Sequence, residues 1–209
     1  MAQRTYGGAT GEERRARRRA ALTDAALELF AEGGWERVTV RAVCGRARLN
    51  DRYFHESFAD RDTLLLAARD GIAEEGLRVL LGAIATTAPD PGSRIRAVVE
   101  SVIDFFVADP RRGNLVFASH EALRGRRQDM LRMLARIVAD QAAELLGAHA
   151  APEPDRELGA FTLVSGTMEV FSSWLRGEVD VTREHLADFL VAMIHTTGDL
   201  ATALRRERR

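Results

Sequence analysis

Asp51, Arg52, Tyr53 and His55 sit side by side in the segment 38–58, VTVRAVCGRARLNDRYFHESF, and their types suit recognition of a polyanion. A planar Arg guanidinium can meet O6 and N7 of guanine in two parallel hydrogen bonds, and a Tyr hydroxyl can meet a base edge or a phosphate. Arg52 and Tyr53 are therefore the expected sequence-reading pair, with Thr39, Arg41 and Arg48 better placed for phosphate oxygens. Arg37 to Glu56 holds five Arg against two acidic residues, a net of +3, and residues 1–19 hold six Arg against two, a net of +4. Two basic patches flanking one compact segment point to phosphate contacts, which supply most sequence-independent affinity for nucleic acid.

The remaining residues offer little other chemistry. All thirty basic residues are Arg, so the chain has no phosphate-loop lysine, no Schiff-base lysine and no lysine general base. Codon bias in a GC-rich genome is the simplest source of that usage. Cys44 is the single cysteine, which excludes an intramolecular disulfide framework, and on the inner face of a short helix it reads as a small hydrophobe. The five histidines lack the spacing of a local metal motif. Neither G-x-S-x-G nor G-x-G-x-x-G occurs. No catalytic residue, metal or cofactor is expected.

The elements that must position the segment read as helices. Thr39 caps a short helix with Val40 and Val43 facing inward, Gly45 to Leu49 turns, and Asn50 caps a second helix anchored by Phe54 and Phe58. Two short helices joined by a tight turn form a helix-turn-helix, whose second helix enters the major groove. Ahead of it, Leu22, Ala25, Ala26, Leu29 and Phe30 follow one helical face, which Gly33-Gly34 should end as left-handed caps. Thr10 and Glu13 have capping-box spacing, which would place the run RRARRR on the same helix.

Beyond the segment, Asp60 is expected to cap a helix from Arg61 through Ile72, and Thr87 to Ser93 forms a linker. Ser93 caps the next helix, which Pro110 ends after Asp109. Shorter helices cover Asn114 to Leu123 and Gln128 to Leu146, and a second linker runs from Ala148 to Asp155. Two long helices follow, Arg156 to Leu175 and Thr182 to about Leu204. Their apolar rows, including Phe161, Met168, Phe171, Phe189 and Met193, suit a two-fold four-helix interface.

No strand-like alternation or repeat occurs, so the fold class is all-α. An N-terminal three-helix helix-turn-helix domain precedes a C-terminal helical domain whose last two helices suit dimerisation. The boundaries are a flexible arm at 1–13, the helix-turn-helix DNA-binding domain at 14–60, and the C-terminal helical domain at 61–209. The 209 residues carry a formal charge of −1 and are 46% hydrophobic, a globular composition. The first residues lack the apolar core of a signal peptide, and no run of about 18 apolar residues follows. A cytoplasmic protein without membrane contact is the expectation.

At this point the sequence resembles the tetracycline-repressor (TetR) family of bacterial one-component transcriptional regulators. The resemblance rests on Ala25-Ala26, Leu29-Phe30, Gly33-Gly34-Trp35, Val38-Thr39-Val40, Ala47, Leu49-Asn50, Arg52-Tyr53-Phe54, Phe58, Asp60 and Leu64-Leu65. It covers about residues 14–75, with Trp174-Leu175 and Gly177-Glu178 as looser matches. Arg48 replaces the turn glycine usual in the family, and His55 stands where a phosphate-contacting Tyr is common.

The resemblance implies a homodimer on a double-stranded DNA operator and an unidentified small-molecule effector in a largely apolar pocket. Within the central helices, Phe105, Phe117, Phe161, Met168 and Trp174 are the apolar candidates for that pocket. Asp104, His120 and Thr167 are the polar ones. Most relatives so implied are repressors, making release from a near-palindromic operator by ligand the default. The alternative from another class is a helical small-molecule carrier or enzyme using the same central pocket.

Overall fold

The computed structural model describes residues 10–87, 90–147 and 150–198. Among them are nine α-helices and no strand. The expected arm before Thr10, the end of the last helix at Leu204 and the centres of both linkers lie outside the described residues.

Contacts group the chain into two units: residues up to Glu74 with Asn114–Ala118, and Glu75–Gly113 with the residues from Ser119 onward. The first unit contains α1 (Gly11–Arg37), α2 (Val40–Ala47), α3 (Asp51–His55) and the first half of α4 (Arg61–Thr86). Helix α1 starts on the expected capping box: the Thr10 hydroxyl accepts from the Glu13 amide at 3.1 Å, and the Glu13 carboxylate accepts from the Thr10 amide at 2.7 Å.

The helical path breaks at Gly33-Gly34 as expected. Only Gly34 takes a positive φ (67°), however, and Gly33 is extended in φ. The core of this unit is the α1 stripe of Leu22, Ala26, Leu29 and Phe30, closed by Val38, Val43, Phe54, Phe58, Leu64 and Leu65, all buried. Phe54 and Leu22 are wholly excluded from solvent, and truncating such a Phe to Ala costs about 3–5 kcal/mol.

The second unit contains the rest of α4, α5 (Pro91–Val107), the start of α6 (Pro110–Val116), α7 (Glu121–Leu146), α8 (Glu153–Leu175) and α9 (Arg183–Gly198). Helices α7 and α8 pack through small side chains, Ala135 and Ala139 against Ala160 and Val164, flanked by Leu131, Leu134, Val138 and Met168. Helix α5 packs on α9 beneath a ladder of charges: Arg96 meets Glu100 at 3.4 Å and Asp188 at 2.8 Å, and Arg183 pairs with Asp104.

Four helix starts differ from the sequence expectation, and the first is α6, which begins at Pro110 instead of Asn114 because proline suits a first helical position. Helix α5 is capped by Asp90, whose carboxylate accepts from the Ser93 amide at 2.8 Å, instead of by Ser93. Pro91 explains the shift, because a proline at the first helical position loses no hydrogen bond and has its φ already set. The break expected between Leu123 and Gln128 falls instead at Phe117–His120, where the His120 ring nitrogen accepts from the Ala122 amide at 3.3 Å. Helix α8 begins at Glu153, not Arg156, since Pro154 is tolerated in a first turn and Glu153 and Asp155 favour its positive end.

Candidate nucleic-acid interface

Thr39 opens α2 in extended geometry, its hydroxyl accepting from the Ala42 amide at 3.1 Å. The helix closes on Arg48, at φ 55° and ψ 40° in the left-handed region. The Arg48 amide donates to the Gly45 carbonyl at 3.3 Å and the Leu49 amide to the Cys44 carbonyl at 3.0 Å, a Schellman closure that ordinarily selects glycine. Asn50 opens α3, its side-chain oxygen accepting from the Tyr53 amide at 3.2 Å. Both cap expectations and the two-helix pattern therefore hold in the backbone.

Helix α3 anchors itself through Phe54, whose ring lies 6.0 Å from Phe58 and 5.3 Å from His55. Asp51, Arg52 and His55 are exposed and Tyr53 is half-buried. The Arg52 side chain is 83% exposed, its Nε 3.1 Å from Glu56. Arg41 and Arg48 are exposed and form no ion pair among the described residues. Arg46 is spent differently: it reaches back to Glu28 at 2.8 Å and Glu32 at 2.9 Å on α1. Its guanidinium holds the Glu32 carboxyl below the usual carboxylate range. The segment's net charge of +3 thus includes an arginine committed to the protein itself.

Cys44 is buried, and burial, reinforced by Asp51, pushes its thiol up to about 11. That is the environment of an inert core thiol.

Sequence reasoning missed Arg15, Arg18 and Arg19 as structural residues. Arg15 donates to the Glu56 carbonyl at 2.8 Å and Arg19 to the Ser57 carbonyl at 2.9 Å. Arg18 lies over the Tyr53 ring at 4.4 Å and Arg19 over the Phe58 ring at 4.2 Å. The signal was available: stepping back from Leu22 by three, four and seven residues reaches Arg19, Arg18 and Arg15, so they lie on the same face of α1 as its buried stripe, Arg18 half-buried and the other two exposed.

The eight pocket candidates are spread more widely. Phe117 is buried in the first unit, and the other seven belong to the second. Phe105 is buried between Phe106, at 5.0 Å, and the guanidinium of Arg112, at 4.2 Å. It packs over Gly76, where an added Cβ would come within 3.3 Å of the ring. Phe106 continues to Phe171 at 5.5 Å and Phe171 to Trp174 at 5.9 Å, so Phe105 and Trp174 end one aromatic chain. The Trp174 indole N–H donates to the Val181 carbonyl at 2.8 Å.

Asp104 is exposed in the α5–α9 ladder, His120 caps α7 and Phe161 is 44% exposed on α8. Thr167 and Met168 are half-buried, and Met168 packs on the α7–α8 cluster. Among the described residues no group of three or more His, Cys, Asp or Glu comes together in metal-binding geometry, and no helix is long and apolar enough to cross a membrane.

A capped short helix, a left-handed turn and a second capped helix with exposed polar side chains, supported by a long preceding helix, define the helix-turn-helix class within an all-α fold. The family model of bacterial regulatory proteins, tetR family, matches residues 22–68. Those residues run from mid-α1 into α4, so the part of the chain similar to that family is the helix-turn-helix with the helices that brace it.

Solved structures share the fold over most of the chain. A TetR-like transcriptional regulator from Rhodococcus sp. RHA1 is 20% identical, with TM-score 0.68 over 86% of this chain and 94% of that one. A protein assigned as a transcriptional regulator in Pseudomonas aeruginosa PAO1 is 23% identical, with TM-score 0.74 over 91% and 94%. The fatty acid degradation regulator FadR from Bacillus halodurans is 14% identical, with TM-score 0.67 over 88% and 94%. No curated protein matches the chain.

Proposed function

We propose that the chain is a cytoplasmic, homodimeric, sequence-specific DNA-binding repressor, released from a near-palindromic operator by a small, largely apolar ligand. The observation that carries this reading is the exposed array of Asp51, Arg52 and His55 on α3, flanked by the exposed Arg41 and Arg48 and held by two side-chain caps. Arg52 and Tyr53 read bases, while Thr39, Arg41 and Arg48 contact phosphate and Asn50 fixes the start of the reading helix. Each protomer occupies one half-site, with half-sites about one helical turn or a multiple apart.

Dimerisation through α8 and α9 is supported by the apolar side chains those helices leave exposed: Leu158 and Phe161 on one, Phe189 and Met193 on the other. The effector is assigned to the central helices, with Phe105 and Trp174 at the ends of the aromatic chain as its first candidates. A ligand lowers DNA affinity only by binding more tightly to the arrangement that does not fit the operator.

The test selects duplexes from a random pool with the wild-type protein, then measures Arg52→Ala and Tyr53→Ala on the selected duplex. Each substitution should weaken binding by about 1–3 kcal/mol and relax preference at the contacted position. Unchanged affinity and specificity in both variants would refute the assignment.

A further inference from the structure

We propose that Arg15, Arg18 and Arg19 are positioning residues: they clamp the C-terminal end of α3 in its reading orientation instead of contacting DNA phosphates. This rests on the reading of α3 as the DNA-contacting helix. Five residues are too few for a helix to be stable alone, because nucleation is unfavourable and the last carbonyls have no partner within the helix. The two carbonyls that follow the helix, at its C-cap and one residue beyond, are met from α1: Arg15 donates to Glu56 O at 2.8 Å and Arg19 to Ser57 O at 2.9 Å.

The clamp also reaches both side chains assigned to base reading. Arg18 covers one face of the Tyr53 ring at 4.4 Å and lies 3.7 Å from the Glu56 carboxylate. The same carboxylate meets Arg52 Nε at 3.1 Å. Arg19 secures the anchor beneath, lying over Phe58 at 4.2 Å. Guanidinium geometry is specific to this task, since a lysine ammonium keeps the charge but lacks the planar face and the fork of donors.

That difference supplies the test. Affinity for the selected duplex is measured across a salt series for wild type, for Arg15→Gln/Arg18→Gln/Arg19→Gln and for Arg15→Lys/Arg18→Lys/Arg19→Lys. A clamp predicts that both variants lose affinity roughly tenfold at every salt concentration, comparable to one lost base contact, with the salt slope of the Lys variant unchanged. Phosphate contacts predict wild-type affinity for the Lys variant and a slope lower by about 0.9 per lost contact in the Gln variant. That second pattern overturns the proposal.

Hydrogen exchange of the DNA-free protein gives an independent arm. Amides from Phe54 to Phe58 should exchange at least about tenfold faster in both variants, with α8 unaffected. Unchanged exchange at Phe54 to Phe58 overturns the clamp. If a triple variant does not fold, single Arg18→Lys is read for the same signs. Failure of the wild type to enrich any duplex would refute DNA reading, while the exchange arm still decides the clamp.

Discussion

Arg48 carries the only positive φ among the described non-glycine residues, and it does so at the turn between the two short helices. A side chain held in the left-handed region costs about 1 kcal/mol, so Arg48→Gly should stabilise the protein by roughly that amount and raise its melting temperature by about 2–4 °C. The same substitution should weaken DNA binding and lower the salt slope by about 0.9, because an exposed cation beside α3 is lost. Thermal unfolding and a salt titration of affinity check the two halves separately. Stability gained at the expense of affinity would explain an arginine where the backbone favours glycine.

Residue identity alone does not distinguish this cation from its neighbours. Arg46 counts as one positive charge in the sequence, yet two carboxylates of α1 absorb it. Charge bookkeeping sees sign and position along the chain, whereas the partner is set by packing over intervals of 14 and 18 residues.

At the scale of elements, the helix-turn-helix was legible because its determinants are local. Thr39 and Asn50 each bond to an amide three residues ahead, and Phe54 and Phe58 are one helical turn apart. Asn50→Ala should therefore cost about 1 kcal/mol, read by chemical denaturation, and should speed exchange of the α3 amides more than those of α8. The start of α5 was less legible, since Asp90 and Ser93 are both competent caps and Pro91 decides between them through its backbone.

The α6–α7 break was misplaced because periodicity runs on through Leu115, Val116 and Leu123, while the capping group at His120 is an unusual one. Asp104 illustrates the limit on reading a site: its partner Arg183 is 79 residues away, and no local pattern announces their ladder.

For the whole molecule, a formal charge of −1 conceals a basic reading segment set in a more acidic body. Binding should accordingly be steeply salt-dependent despite near-neutrality. The proposed dimer rests on apolar surface at α8 and α9, which charge reversal would spoil. Phe189→Glu combined with Met193→Glu should sediment as a monomer and bind the full operator far more weakly than the wild type. A wild-type protein that sediments as a monomer at micromolar concentration would remove the basis for paired half-sites.

The chain's two tryptophans also fall one to each unit. Trp35 is buried with the Arg61 guanidinium 5.4 Å from its ring, and Trp174 is half-buried and stacked on Phe171. Each half of the molecule thus contains its own fluorophore in a distinct setting, one beside a cation and one against an aromatic ring. Replacing either with Phe leaves a chain whose tryptophan emission comes from a single unit, a built-in optical means of telling which half responds when DNA or ligand is added.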